Sequence, residues 1–211
     1  MSVADFISVN AQSSIRLGGE KVLCFDPFRL EVEPHDADVV FVTHAHFDHF
    51  SPEDIAKVVK PSTCFVLPES MKKDAKKAGL PAERCVFLKP GDKTEVASVP
   101  VEAVPSYNIG KPMHLRHFGW LGYVVTVQGD RIYVSGDMDA IPEAETLSCR
   151  VALIPIGGTY TMNPAEAAAL VNRMKPEIAI PTHYGSVVGK PEDGQTFAAA
   201  VDPAVQVEFR L

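Results

Sequence analysis

Val39-Val40-Phe41-Val42-Thr43-His44-Ala45-His46-Phe47-Asp48-His49-Phe50 decides how the rest of the chain is read. Its first four residues are apolar and mostly β-branched, the composition of a strand buried on both faces. Three of the chain's seven histidines then fall within six positions, beside a carboxylate. Packing alone does not explain a buried strand that runs into such a cluster, because each imidazole loses its hydration unless it finds a partner. On an extended backbone His44 and His46 point the same way, so the two can hold one metal ion together. Asp48 and His49, in the turn that follows, can reach a second. Imidazole nitrogen and carboxylate oxygen without thiolate suit a catalytic Zn, Mn or Fe better than a structural thiolate site. The competing reading, solvated or hydrogen-bonded histidines, leaves the spacing without a reason.

Outward from this stretch, the pattern alternates short strands with helices. Upstream, Phe6–Val9, Ser14–Leu17 and Val22–Phe25 read as strands, with Gly18-Gly19 as a tight turn. Downstream, Ser51 caps a helix with Pro52 at its first position and Glu53 and Asp54 in its first turn; Lys60-Pro61 stops it. A strand over Thr63–Leu67 and a helix near Glu69–Ala78 follow, then strands at Cys85–Leu88, Lys93–Ala97 and Val99–Val104. Residues 106–119 form a polar loop too long for a plain turn. Gly122–Val127 and Arg131–Ser135 make a hairpin, and the last third alternates strand Val151–Ile156, helix Pro164–Met174, strand Glu177–Ile180, helix Glu192–Val201 and strand Val205–Phe209. The simplest architecture is α/β (α+β): two mixed sheets face to face with helices outside.

Composition narrows the function. At 211 residues the chain fits one domain, 1–211, with a core large enough to need no staples. A net charge of -7 argues against a nucleic-acid groove, and the cluster Lys72, Lys73, Lys76 and Lys77 reads as a solvated helix face. Four cysteines without a Cys-x-x-Cys pair, with Cys24, Cys64 and Cys85 inside apolar runs, read as buried reduced thiols. MSVADFISVN lacks the features of a signal peptide, and no apolar run is long enough to span a bilayer. These features predict a cytoplasmic protein with a small-molecule substrate, no membrane or nucleic-acid partner, and room for homo-oligomerisation.

His-x-His-x-Asp-His after a buried strand resembles the signature of the metallo-β-lactamase superfamily. Asp137, in Ser135-Gly136-Asp137, resembles the family's metal-bridging aspartate, and His183, in Pro181-Thr182-His183-Tyr184, its last metal-binding histidine. The resemblance implies an αββα sandwich and a metal set of His44, His46, Asp48, His49, Asp137 and His183. The family's middle histidine is missing: Asn108 stands in its place, with His114 and His117 as substitutes from the loop. The run Ser106 to His114 is similar to a small prokaryotic subgroup of metal-dependent hydrolases, near an ascorbate 6-phosphate lactonase branch. His114 is favoured over His117, either to complete the first metal's shell or to give a proton to the leaving group. Asp26, in Phe25-Asp26-Pro27, matches a family position near the site, where it can orient a ligand histidine or simply cap the turn. Gly157 to Met162 resembles a pocket-lining loop, and Tyr107 and Tyr184 can face substrate or pack.

The chemistry that follows is hydrolysis. Two divalent ions about 3.5–4 Å apart, most simply Zn with Mn or Fe as alternatives, share a hydroxide whose pKa falls from ~15.7 toward ~7. That metal-bound hydroxide is expected to attack a small ester, lactone or phosphate ester, with Asp48 orienting it or taking its proton. A phosphodiesterase or nuclease-type hydrolase is the nearest alternative within the same chemistry. A metal-binding protein disabled at Asn108 lies outside it, as does a redox reading by analogy with di-iron flavoproteins.

Overall fold

Each half of the chain begins as an antiparallel meander and ends as parallel crossovers. The computed structural model describes residues 3–211; the N-terminal reading falls in part on residues 1 and 2, outside the described residues. In the first half, β1 (Ile7–Val9), β2 (Ile15–Leu17) and β3 (Leu23–Phe25) pair antiparallel. From β3 the pairing turns parallel through β4 (Ala37–Phe41), β5 (Val59–Pro68) and β6 (Cys85–Leu88). Helices α1 (Pro52–Val58) and α2 (Lys72–Lys77) make the crossovers.

In the second half, β7 (Lys93–Val96), β8 (Val99–Pro105), β9 (Leu121–Val127) and β10 (Asp130–Val134) are antiparallel. A short α3 (Pro142–Glu145) leads to β11 (Val151–Pro155), α4 (Pro164–Met174), β12 (Ile178–Thr182), α5 (Asp193–Ala200) and β13 (Gln206–Val207), and β10 to β13 pair parallel. The sheets hold six and seven strands, each in sequence order along the sheet.

Three apolar layers hold these parts. Between the sheets, Phe25 stacks on Phe41 with ring centroids 4.5 Å apart, and Tyr123 leans on Phe41 from the other sheet. Ile55, Val58, Met71 and Ala75 seal α1 and α2 onto the first sheet, and Leu170, Val171 and Phe197 seal α4 and α5 onto the second. This is the expected αββα sandwich. Val39, Val40, Phe41 and Val42 are all fully buried, as a strand covered on both faces requires.

Some boundaries differ from expectation. Pro61 does not stop the chain before β5: the strand starts at Val59, and Lys60 N–H donates to the Thr63 hydroxyl. Pro is tolerated there because the pairing with β4 is irregular between Ala37 and Val39. The segment 69–78 opens as a 3₁₀ turn, Glu69–Met71, before α2. The closing strand is only Gln206–Val207. Cys24 is buried, whereas Cys64 and Cys85 are half-buried because they sit near the open edge of the sheet; all four cysteines are free. Lys72, Lys73, Lys76 and Lys77 are exposed. Among the described residues, no helix is long and apolar enough to cross a membrane.

Candidate metal centre

The site is built where parallel strands end. Asp26 follows β3, Thr43 to His49 follow β4, Asp137 follows β10 and His183 follows β12. Carboxyl ends of parallel strands are where α/β sheets gather ligand-binding loops. Two cross-sheet bonds fix the start of the histidine loop: Tyr123 hydroxyl donates to Val42 C=O at 2.6 Å, and Leu121 N–H to Thr43 C=O at 3.1 Å. Gly136, at φ +66°, lies where a Cβ would come within 3.0 Å of Thr43 Cβ, so its lack of a side chain lets Asp137 approach from the second sheet.

Strand alternation is not what joins His44 to His46. The strand ends at Phe41 and the chain bends at residues 45 and 46. The bend still leaves His44 Nε2 3.1 Å from His46 Nδ1. His49 Nε2 lies 3.3 Å from Asp137 Oδ1, and Asp137 Oδ2 lies 3.2 Å from His183 Nε2, 3.3 Å from His114 Nε2 and 3.9 Å from His44 Nε2. Asp48 Oδ2 completes the set, 3.3 Å from His183 Nε2. Among the described residues, three groups of side chains therefore present atoms close enough to hold an ion: His44–His46–His114, His44–His49–Asp137 and Asp48–His49–His183.

Five buried atoms of the cluster residues have no hydrogen-bond partner: His49 Nε2, His114 Nε2, His183 Nε2 and Asp137 Oδ1 in the cluster itself, and His183 Nδ1 on the Gly157 side. Buried polar atoms are almost always satisfied, so the convergence of the first four on one place is what a cation-binding site requires. The residues fit metal ions.

Electrostatics agree. Burial, then the neighbouring His49, holds His44 well below the ordinary histidine pKa, which favours the neutral ring that a metal ligand needs. Burial works against protonation of His49 and His183 too, but carboxylates outweigh it. Asp137 and Asp26 raise His49 well above its usual value; Asp137 and Asp48 raise His183 to about 9. Against burial, His183 and His49 hold Asp137 far below the carboxylate range. Asp48, also despite burial, is lowered by the same two histidines. Protons thus balance the carboxylates where cations would otherwise do so.

Behind the cluster, fully buried Asp26 accepts from Thr43 N–H at 2.8 Å, Thr43 hydroxyl at 2.6 Å and His49 Nδ1 at 2.7 Å. Burial pushes its carboxyl above the usual range, with His49 opposing. Asp26, His114 and His183 all have positive φ, at 45°, 53° and 56°. Left-handed non-glycine backbone costs of order 1–3 kcal/mol each and clusters at functional sites.

The loop question is answered by geometry. His114 is buried in the cluster, while His117 is exposed and lies on Phe118. Asn108 works one step back: its amide nitrogen bonds Tyr160 C=O at 2.7 Å and approaches His114 Nδ1 at 3.2 Å, and its N–H donates to His114 C=O. Neither tyrosine faces the cavity. Tyr107 donates its hydroxyl to Glu143, and Tyr184 packs with Phe197 and against Gly194 of α5. Missed in the sequence were Trp120, whose ring lies 4.8–5.4 Å from those of His44, His46 and His114, and the cavity residues Phe47 and Met113.

An αββα sandwich with a buried histidine–aspartate cluster at its strand ends defines the metallo-β-lactamase class of fold. Comparison with known proteins gives the same result. Residues 11–183 match the family described as the beta-lactamase superfamily domain. A UPF0173 metal-dependent hydrolase of Aeropyrum pernix is 30% identical over 215 residues, covering 87% of this chain and 84% of that protein. Another, of Thermococcus onnurineus, is 27% identical over 207 residues, covering 92% and 91%. A crystal structure provisionally described as a metal-dependent hydrolase, from Parabacteroides distasonis, superposes with TM-score 0.81 at 29% identity, covering 97% and 91%. A zinc-dependent hydrolase of the superfamily from Thermotoga maritima, also provisionally described, shares the fold at TM-score 0.65 and 20% identity, covering 96% of each chain. The chain belongs to the beta-lactamase superfamily domain family, among its UPF0173 metal-dependent hydrolases.

Proposed function

We propose that this metal-dependent hydrolase works with two divalent ions, Zn in the first instance, on a small ester, lactone or phosphate ester. The observation that carries the reading is the convergence of buried, unpartnered imidazole nitrogens on the Asp137 carboxylate. His44, His46 and His114 would hold one ion and Asp48, His49 and His183 the other, with Asp137 between them. Bound there, the ions would lower the pKa of a shared water toward neutrality and polarise the substrate's oxygen.

The chain's own residues do the rest. Asp48, held below its usual range by His183 and His49 against burial, would orient the attacking water and take its proton. Asp26 holds His49 with Nδ1 engaged, so that Nε2 faces the cluster. Trp120 packs against the rings of His44 and His46 and supports their orientation. The free cysteines are in keeping with a cytoplasmic setting.

Metal content per chain, measured by mass spectrometry on protein purified without chelator and on His183→Ala, tests this. About two equivalents in the parent and fewer in the variant are expected. One equivalent in the parent would rule out the binuclear reading, and none after reloading with Zn or Mn would rule out these residues as the metal site.

A further inference from the structure

A cavity of about 260 Å³ opens onto the cluster, and its wall is of two kinds. The floor is His46, Asp48, His114, Asp137 and His183; the remainder is Phe47, Met113, Tyr160, Val187 and Val188. Four of these apolar side chains are left in solvent: Phe47 is 67% exposed, Tyr160 41%, Met113 38% and Val187 36%. They come from four separate loops at the strand ends, yet meet at one opening. Keeping them out of the core forgoes about 25 cal/mol per Å² of apolar surface, and apolar surface concentrated round a concave site marks a ligand face.

Among the described residues, the wall contains no lysine or arginine. The two cations of the 106–119 loop are committed elsewhere: Lys111 Nζ to Asp139 and Thr161 C=O, Arg116 to Glu143. Lys190 is in the loop after His183 but does not line the cavity. A phosphate or carboxylate on the substrate would therefore meet aromatic and aliphatic carbon beyond the reacting centre, with no counter-charge to replace its hydration.

We propose that the site takes a small uncharged acyl substrate, an ester or lactone whose apolar group lies against Phe47, Met113, Tyr160 and Val187, in preference to a phosphate-bearing one. This rests on the hydrolase reading above. In the step, the water oxygen bonds to the carbonyl carbon and the carbon–oxygen bond to the leaving alkoxide breaks. Asp48 takes the water's proton and passes it to the leaving alkoxide oxygen, which ends as an alcohol while Asp48 returns to its carboxylate.

The chain's single tryptophan, Trp120, lies beside three of the cluster histidines, so its fluorescence reports occupancy without turnover. Zn-loaded protein would be titrated with acetate, butyrate, hexanoate and octanoate, and with inorganic phosphate. The same protein would be assayed on p-nitrophenyl acetate, butyrate and hexanoate and on p-nitrophenyl and bis-p-nitrophenyl phosphate. Affinity and kcat/KM should rise with chain length by up to about fourfold per methylene, and Phe47→Ser and Val187→Ser should flatten both slopes. A flat slope in the parent, or phosphate ligands and substrates favoured tenfold over hexanoyl ones, would overturn the proposal while leaving the hydrolase reading intact. A rising affinity slope with no turnover of any substrate would support the pocket's preference and count against hydrolysis of these esters.

Discussion

Asp26 sits behind the histidine–aspartate cluster and decides which nitrogen of His49 faces it. With its carboxylate at 2.7 Å from Nδ1, that nitrogen carries a hydrogen and Nε2 is the nitrogen left facing Asp137, where a metal ion would displace its proton. The same carboxylate accepts the Thr43 N–H and hydroxyl, so one residue fixes both the loop and the tautomer. Asp26→Asn should retain the fold but offer an amide to Nδ1. Zn affinity, measured by competition with a chromophoric chelator, is expected to fall ~10–100-fold. Parent-like affinity in a folded variant would remove Asp26 from the metal centre. The sequence made His44, His46, Asp48 and His49 legible because four polar groups crowd after an apolar strand. It favoured His114 over His117 only through the resemblance, because what places His114 is a left-handed backbone there and Asn108 bonds across the loop. Trp120 and Phe47 were illegible for a simpler reason: a single aromatic in a loop has no periodicity to declare which way it faces.

At the level of elements, the hairpin of β9 and β10 carries Asp137 into the site. Its tight point is Gly122, where a Cβ would stand 2.6 Å from Ser135 C=O and 2.8 Å from Val134 C=O. Those atoms are backbone and cannot rotate away, so Gly122→Ala has to push β9 from the end of β10, one residue before Gly136-Asp137. Overpacking of this kind costs about 1–3 kcal/mol, read as a lower urea midpoint at unchanged m-value. Metal content should fall with it, because the displacement reaches Asp137; full stability and full metal content together would contradict the packing argument. Most elements were readable from caps and periodicity, α4 above all: Asn163 and Glu166 form a reciprocal capping box round Pro164. The four-residue α3 was not, being too short for any helical repeat to show. The start of β5 was misplaced because Pro61 reads locally as a stop, whereas the irregular pairing beside it absorbs the missing N–H.

For the whole molecule, the cluster is a joint between two sheets. Asp26, His44, His46, Asp48 and His49 come from the six-stranded half, and His114, Asp137 and His183 from the seven-stranded half. In the metal-free protein, protons on His49 and His183 balance the carboxylates of both halves, and that balance depends on pH. His183 has a folded pKa of about 9 against an ordinary 6.5, so its contribution is fully present below pH 6.5. It is lost as pH rises through 9, on the order of 3 kcal/mol in all. Metal ions reverse the trend, because they displace those protons and bind more tightly as fewer compete. At a free-metal concentration 1,000 times the dissociation constant, binding adds about 4 kcal/mol, or roughly 8–16 °C in melting temperature for a chain of this size. Melts of chelated and Zn-loaded protein at pH 6, 7.5 and 9 should therefore diverge, the chelated form losing stability as the gap widens. A gap that stays constant over this range, or a chelated protein as stable at pH 9 as at pH 6, would mean that proton and metal do not share the joint between the sheets.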